Sequence, residues 1–150
     1  VHTHWDEFGG MDRRIVFFDK EPGRGTWEVF MQWLYGGAAH APRVSHPQVG
    51  ANAEVRSKVA GSRGAISYVS HAWAESPGIF ALNIIRGDGA LIRPNKKAVG
   101  SHTYPLSRPL YVITDGEPQG MAAALVDYLL SDEGQVLVAK HGYLKLSDLQ

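Results

Sequence analysis

The sequence of 150 residues predicts an α/β fold. Short runs of β-branched and aromatic residues, such as "RRIVFF" at 13–18, are typical of buried strands. Other segments, such as "TWEVFMQWLYGG" at 26–37, carry apolar residues at helical spacing and end in glycine. Because the two patterns alternate along the chain, they favour an α/β arrangement over an all-helical or all-β one.

The individual elements are predicted from the same two patterns and their stop signals. Strands are expected around Ile15, Ile66, Ala81 and Tyr111. Helices are expected from Thr26 to the glycine pair at 36–37, over 52–61 with Asn52 as N-cap, from Met121, and over 132–141 behind a Ser131 cap. One helical turn is expected in "HAWAES", and a turn-rich connection in "GDGALIRPNKKAV". The expected core residues are Trp27, Phe30, Leu34, Val59, Ile66, Tyr68, Phe80 and Ile84.

Composition excludes several classes of protein. The formal net charge is +0, which argues against a dedicated nucleic-acid binder. The chain has no apolar run long enough for a membrane-spanning helix and no cysteine for a disulfide or thiolate metal site. His2 and His4 lie on one side of an extended stretch and could chelate, but the other five histidines lack paired metal-ligand spacing, so we expect no metal site and no cofactor. A start at valine with no signal-peptide pattern predicts a processed or cut piece of a longer protein.

The stretch "FFDKEPGRGTWEVF" at 17–30 places two cations and two glycines where a strand passes into a helix. The first amides of a helix have no intrahelical partner and attract anions, and glycine lets an anion approach the backbone. The candidate anion-binding residues are therefore Lys20, Gly23, Arg24, Gly25 and Thr26. The loop lacks the GxxxxGK[ST] ending of a nucleotide-binding P-loop. The alternative is a tight turn with solvated cations.

Several segments together resemble the periplasmic phosphate-binding proteins of phosphate ABC transporters. "DKEPGRGTWEVF" is similar to that family's Arg-x-x-Gly-Ser-Gly-Thr loop, and "HWDEFGG" to the Trp-x-x-x-Gly-Gly segment upstream of it. "VAGSRGAISYVS", "YPLSRPLYV" and "LLSDEGQVLVAKHGYLKL" are similar to later segments of the family. The five motifs follow the family's order over nearly the whole chain.

The resemblance implies a type II periplasmic binding-protein fold, in which two α/β lobes enclose the ligand. It identifies this chain as the C-terminal half: 1–107 as second-lobe α/β domain with the ligand loop at 19–26, and 108–150 as the return strand and C-terminal helices of the first lobe. It further implies binding of phosphate or a related oxyanion for ABC-type uptake, a transporter permease as partner, and a periplasmic or extracytoplasmic location. An incomplete lobe would expose apolar surface, so pairing between copies is also expected.

The loop departs from the family pattern at two positions. Lys20 stands where the family has arginine, and Arg24 where it has serine. If Arg24 points inward the pocket becomes smaller and more cationic; if it points outward the pocket loses a hydroxyl donor. Glu21 is the candidate acid for accepting the proton of hydrogen phosphate, and Ser67 replaces a glycine of the family strand.

These departures leave a second interpretation open. The fold could serve sensing or protein interaction, with a degraded anion site. An enzyme is not expected, since Ser107, His102 and Asp115 lie in a proline-rich segment without a nucleophile motif.

Overall fold

The computed structural model describes residues 2–41, 46–74 and 77–149. The chain divides into two compact units, Val1–Ala81 and Leu82–Gln150, and each is described by itself. The predicted division at 107/108 concerns the lobes of a larger fold and stays a prediction. None of the helices in the described ranges has the length and apolar character needed to cross a membrane.

The first unit alternates short strands with helices. Its elements are β1 (Val16–Phe17), β2 (Asp19–Lys20), α1 (Gly25–Tyr35), β3 (Gln48–Val49), α2 (Asn52–Gly61) and β4 (Ala65–Ile66). β1 pairs with β4 and β2 pairs with β3, both in parallel. Parallel neighbours need a crossover connection, and helices lie in these connections. The predicted α/β character of this unit is confirmed.

Both helices of the first unit lie where the apolar spacing predicts them. α1 ends at Gly36, whose φ of 72° is the left-handed conformation that glycine adopts without strain. α2 has the predicted range, but its N-cap is Ala51, so the expected capping role of Asn52 is wrong. The turn predicted in "HAWAES" is a 3-10 helix over His71–Trp73.

The core of the first unit lies between the helices and the strand pairs. Val49 and Val55 are each 2% exposed and Met31 is 5% exposed. The Tyr68 ring stacks on the Phe30 ring with centroids 4.0 Å apart and planes 9° from parallel. Two expected core residues are wrong: Leu34 and Phe80 are exposed. The other expected core residues are half-buried: Trp27, Phe30, Val59, Ile66, Tyr68 and Ile84.

The second unit contains an antiparallel hairpin and three helices. Its elements are β5 (Ile84–Ile85), β6 (Leu91–Ile92), α3 (Lys96–Gly100), α4 (Met121–Leu130) and α5 (Asp132–Lys140). The predicted cap of α5 is confirmed, since Ser131 Oγ accepts a hydrogen bond from the Gly134 amide at 3.2 Å. The short helix α3 lies in the segment expected to be a turn-rich connection.

One predicted strand is shorter than expected, and another is absent from the described residues. Ala81 has no regular secondary structure, and the third strand is limited to β5. The segment around Tyr111 has none either, and the run 110–113 is strongly exposed, with Ile113 at 90%. The strand predicted there is therefore wrong for this chain. A strand requires a neighbour for its backbone groups, and no segment in the described ranges pairs with this one.

Candidate anion-binding site

The loop after β2 leads into a helix whose first amides are open. Gly23 has a φ of 82°, which glycine adopts readily and which turns the chain into α1. The Glu28 amide donates to the Arg24 carbonyl at 3.0 Å, and the Arg24 side chain makes no capping bond. The amides of Gly25 and Thr26 therefore have no partner within the helix and lie at the positive end of its dipole.

The Lys20 side chain is buried, with 2% of the residue exposed. Its ammonium donates to the Gly50 carbonyl at 3.0 Å and to Asn52 Oδ1 at 2.8 Å. In the described ranges no carboxylate oxygen lies within the 4.0 Å of an ion pair. Burial, and after it the charge of Arg24, lowers the Lys20 pKa. The ammonium is thus held by neutral acceptors, while the charges of Glu21 and Glu54 act on it without forming an ion pair.

Arg24 is turned toward Glu21 and not toward Lys20. Its Nη2 donates to Glu21 Oε2 at 3.0 Å and its Nε to the same oxygen at 3.3 Å. The pair lies over Gly50, where an added Cβ would come within 2.9 Å of Glu21 Oε2 and 3.1 Å of Arg24 Nη2. Whether Arg24 points into or out of a ligand pocket stays a prediction. Glu21, the candidate acid for a ligand proton, is therefore paired with Arg24.

Two polar residues that the loop motif does not reveal lie beside Thr26. Ser70 Oγ is 3.5 Å from Thr26 Oγ1 and accepts a hydrogen bond from Asn52 Nδ2 at 3.3 Å. The positions of Asn52 and Ser70 after parallel strands could have predicted their place in the site. Lys20 ends β2, Asn52 follows β3 and Ser70 follows β4, and the carboxyl ends of such strands gather polar groups at one edge.

A second set of contacts fixes the backbone of β2. The Tyr68 hydroxyl donates to the Asp19 carboxylate, which also accepts from the Lys20 amide at 2.8 Å. Burial, and after it the bond to Asp19, raises the Tyr68 pKa. Ser67 Oγ donates to the Phe18 carbonyl at 2.6 Å, so the serine in place of the family glycine joins two chain segments. These bonds position the residue that carries the buried charge.

Comparison with protein families finds one matching profile, described as a PBP superfamily domain, over residues 1–133. Among characterised proteins, the phosphate-binding protein PstS of Bacillus subtilis is 28% identical over 148 residues, which are 98% of this chain and 47% of that protein. The phosphate-binding protein PstS 2 of Streptococcus agalactiae is 36% identical over 53 residues, which cover 35% of this chain and 18% of that protein.

Solved structures of phosphate transport proteins are also similar to this chain. A crystal structure from Clostridium perfringens, assigned as a phosphate ABC transporter substrate-binding protein and containing phosphate, matches with a TM-score of 0.80 and 28% identity. The match covers 97% of this chain and 57% of that one. An ABC-type phosphate transport receptor from Vibrio cholerae matches with a TM-score of 0.63 at 21% identity, over 95% of this chain and 57% of that one. The chain thus spans about half the length of these relatives.

Proposed function

Because this chain belongs to the PBP superfamily domain family and has its type II periplasmic binding-protein fold, we propose that it binds phosphate or a similar small oxyanion. The proposed contacts are the amides of Gly25 and Thr26 together with the Thr26 hydroxyl. Lys20 supplies the main charge. Gly23 shapes the loop, and Arg24 acts at its rim.

The observation that carries this proposal is the buried Lys20 ammonium without an ion-pair partner in the described ranges. Buried charges in proteins are normally paired, because an uncompensated charge in a low-dielectric interior is costly. The open end of α1 lies at the end of the same loop and adds a second positive field. An anion at this place compensates both.

The wider role proposed is that of a solute-binding protein, or part of one, that delivers phosphate or a related oxyanion to an ABC transporter permease outside the cytoplasm. Relatives named as phosphate-binding and substrate-binding proteins support it. The work assigned to this chain is binding and not catalysis, since the site consists of hydrogen-bond donors held by other polar groups.

A second candidate function is favoured by one observation. Lys20 already donates to two protein acceptors, and the residue is 2% exposed. In that alternative Lys20 is a structural cation that joins β2 to the start of α2, and the domain serves sensing or protein interaction without high-affinity anion binding.

Titration of the chain with inorganic phosphate, followed by amide NMR shifts, separates the two functions. We expect saturable shifts at Gly25, Thr26 and Trp27. The dissociation constant should be about millimolar, roughly 4 kcal/mol weaker than a micromolar site, because the chain spans about half the length of its relatives. Sulfate, arsenate and molybdate titrations then rank the oxyanions. Absence of saturable shifts at up to molar phosphate would favour the structural role of Lys20.

Two variants test which groups bind the anion. Thr26→Val keeps the shape and removes one donor, so it should weaken phosphate binding by about 1–3 kcal/mol. Lys20→Met removes the charge with little change of volume and should weaken it at least as much. Thr114→Val, in the second unit, is the matched control. If both site variants bind phosphate like the unmodified chain, the loop is only a turn.

A further inference from the structure

A continuous line of polar side chains joins the buried cation to the hydroxyl of Thr26. The Lys20 ammonium donates to Asn52 Oδ1 at 2.8 Å, and Asn52 Nδ2 donates to Ser70 Oγ at 3.3 Å. Ser70 Oγ lies 3.5 Å from Thr26 Oγ1. The line begins at a residue that is 2% exposed and ends at the first turn of α1.

The direction of these hydrogen bonds follows from the chemistry of lysine. An ammonium has three donors and no acceptor, so the amide of Asn52 must present its oxygen to Lys20. Its NH2 group then faces Ser70 and donates to the Ser70 oxygen. Ser70 therefore keeps its own hydroxyl proton for another acceptor.

The acceptor that the chain itself offers to Ser70 is a poor one. Thr26 Oγ1 is 3.5 Å away, whereas hydrogen bonds between two oxygens usually measure about 2.5–3.0 Å. An anion oxygen bound to Thr26 would lie within reach of Ser70 as well and would accept a charge-assisted bond, which is shorter and stronger than a neutral one.

The Lys20 end of this line is held by protein contacts before any ligand binds. Lys20 is tied to the Gly50 carbonyl, two residues before α2, and to Asn52, the first residue of α2. The Gly50 amide in turn donates to Glu54 Oε2 at 3.0 Å within the same turn. A hydrogen-bond donor that is already oriented loses little conformational freedom on binding.

We propose that Ser70 is a further ligand-binding residue of the anion site, and that Asn52 is the positioning residue that orients both Ser70 and the Lys20 ammonium. This inference rests on the proposed oxyanion function. The ligand class is a tetrahedral oxyanion with an unprotonated oxygen that accepts from Thr26 and Ser70 together. As fixed by Asn52, Ser70 acts toward this ligand as a donor.

The first test is Ser70→Ala, titrated with inorganic phosphate at constant ionic strength. Loss of one bond to a charged ligand should raise the dissociation constant about tenfold or more. Ser57→Ala is the matched control, because Ser57 is an exposed serine of α2. Unchanged affinity in Ser70→Ala together with weakened affinity in Thr26→Val overturns this inference and leaves the proposed function standing. No saturable binding in the unmodified chain overturns both.

The second test is a double-mutant cycle between positions 52 and 70. If Asn52 orients Ser70, then Ser70→Ala should cost much less, about twofold or less, in the Asn52→Ala background. Additive effects overturn the positioning role. A second readout is the NMR titration of the Lys20 ammonium, which Asn52→Ala should shift and Ser57→Ala should not. If Asn52→Ala fails to fold, Asn52→Asp replaces it, because it keeps the acceptor for Lys20 and cannot donate to Ser70.

Discussion

The Arg24 guanidinium lies against the Glu21 carboxylate, with Nη2 and Oε2 3.0 Å apart, and the pair covers the backbone of Gly50. Gly50 is also the residue whose carbonyl holds the Lys20 ammonium. The two charges act on Lys20 in opposite directions, since Arg24 lowers its pKa and Glu21 raises it. The arginine at this position therefore masks an acid that would otherwise weaken the positive field of the loop.

Replacing Arg24 with serine should weaken phosphate binding, although serine is the residue of the family loop. Removal of the guanidinium exposes the Glu21 charge, and because both side chains are about half exposed the effect should be at most about fivefold. The double variant Glu21→Gln/Arg24→Ser should bind at least as well as the unmodified chain. Phosphate titration measures both, with Arg86→Ser as control for an exposed pair elsewhere. Tighter binding by Arg24→Ser alone would contradict the masking role.

Substitution of Tyr68 by phenylalanine should destabilise the first unit by about 1–3 kcal/mol. The ring stacking on Phe30 is kept, but the Asp19 carboxylate loses a donor. Urea unfolding measures the loss, and Tyr35→Phe is the control on the exposed part of α1. A Tyr68→Phe variant as stable as the unmodified chain would show that this hydroxyl bond contributes nothing.

The same hydroxyl should give the chain a stability loss at alkaline pH. Burial raises the Tyr68 pKa above its ordinary value of 10.0 in the folded state. The contribution of Tyr68 to the free energy of unfolding is therefore fully present below about pH 10. It is lost as the pH rises further, because the tyrosine ionises first in the unfolded chain. Unfolding measured across this range should show a smaller alkaline loss for Tyr68→Phe than for the unmodified chain. Equal losses would assign the effect to other groups.

Protonation of Glu7 in acid should break the hydrogen bonds that hold the N-terminal segment. Its Oε1 accepts from the amides of Thr3 at 2.7 Å and His4 at 2.8 Å, and its Oε2 contacts His2 Nδ1 at 2.7 Å. These bonds, the backbone bonds first, lower the Glu7 pKa from 4.5 to about 2. The contribution is present above pH 4.5 and disappears as the pH falls toward 2.

NMR titration of the Thr3 and His4 amides measures this transition. Both should titrate together with a midpoint near 2, and Glu7→Gln should abolish the transition. Asp6→Asn is the neighbouring control. A midpoint at 4.5, the ordinary value, would show that the carboxylate is not engaged in solution.

The exposed run 110–113 should promote association between copies of the chain. Its side chains are apolar, with Tyr111 80% and Ile113 90% exposed, and such a segment without strand partners pairs readily with another chain. Sedimentation should show concentration-dependent self-association that Ile113→Lys reduces. Val136→Lys, on an exposed position of α5, is the control. Equal association in both variants would place the contact elsewhere.

Local pattern in the sequence accounts for much of this protein. The spacing of apolar residues and the glycine at position 36 predict α1, and the Ser131 cap predicts the start of α5. Gly23 before α1, with Gly25 and Thr26 in its first turn, predicts a loop that leads to open helix amides. These features depend on neighbours within a few residues, for which backbone conformation and hydrogen bonding are decided locally.

Only the tertiary structure decided how the charges of the loop are used. Whether Lys20 faces solvent or the interior depends on Gly50 and Asn52, which lie about thirty residues further along the chain. Ser70 joins the site because β3 pairs with β2 and β4 pairs with β1, which directly precedes β2 in the chain. Local sequence pattern does not predict such long-range contacts, because they form only when the strands pair. For the same reason the run 110–113 has the composition of a strand but remains unpaired among the described residues, since composition can favour a strand but cannot supply its neighbour.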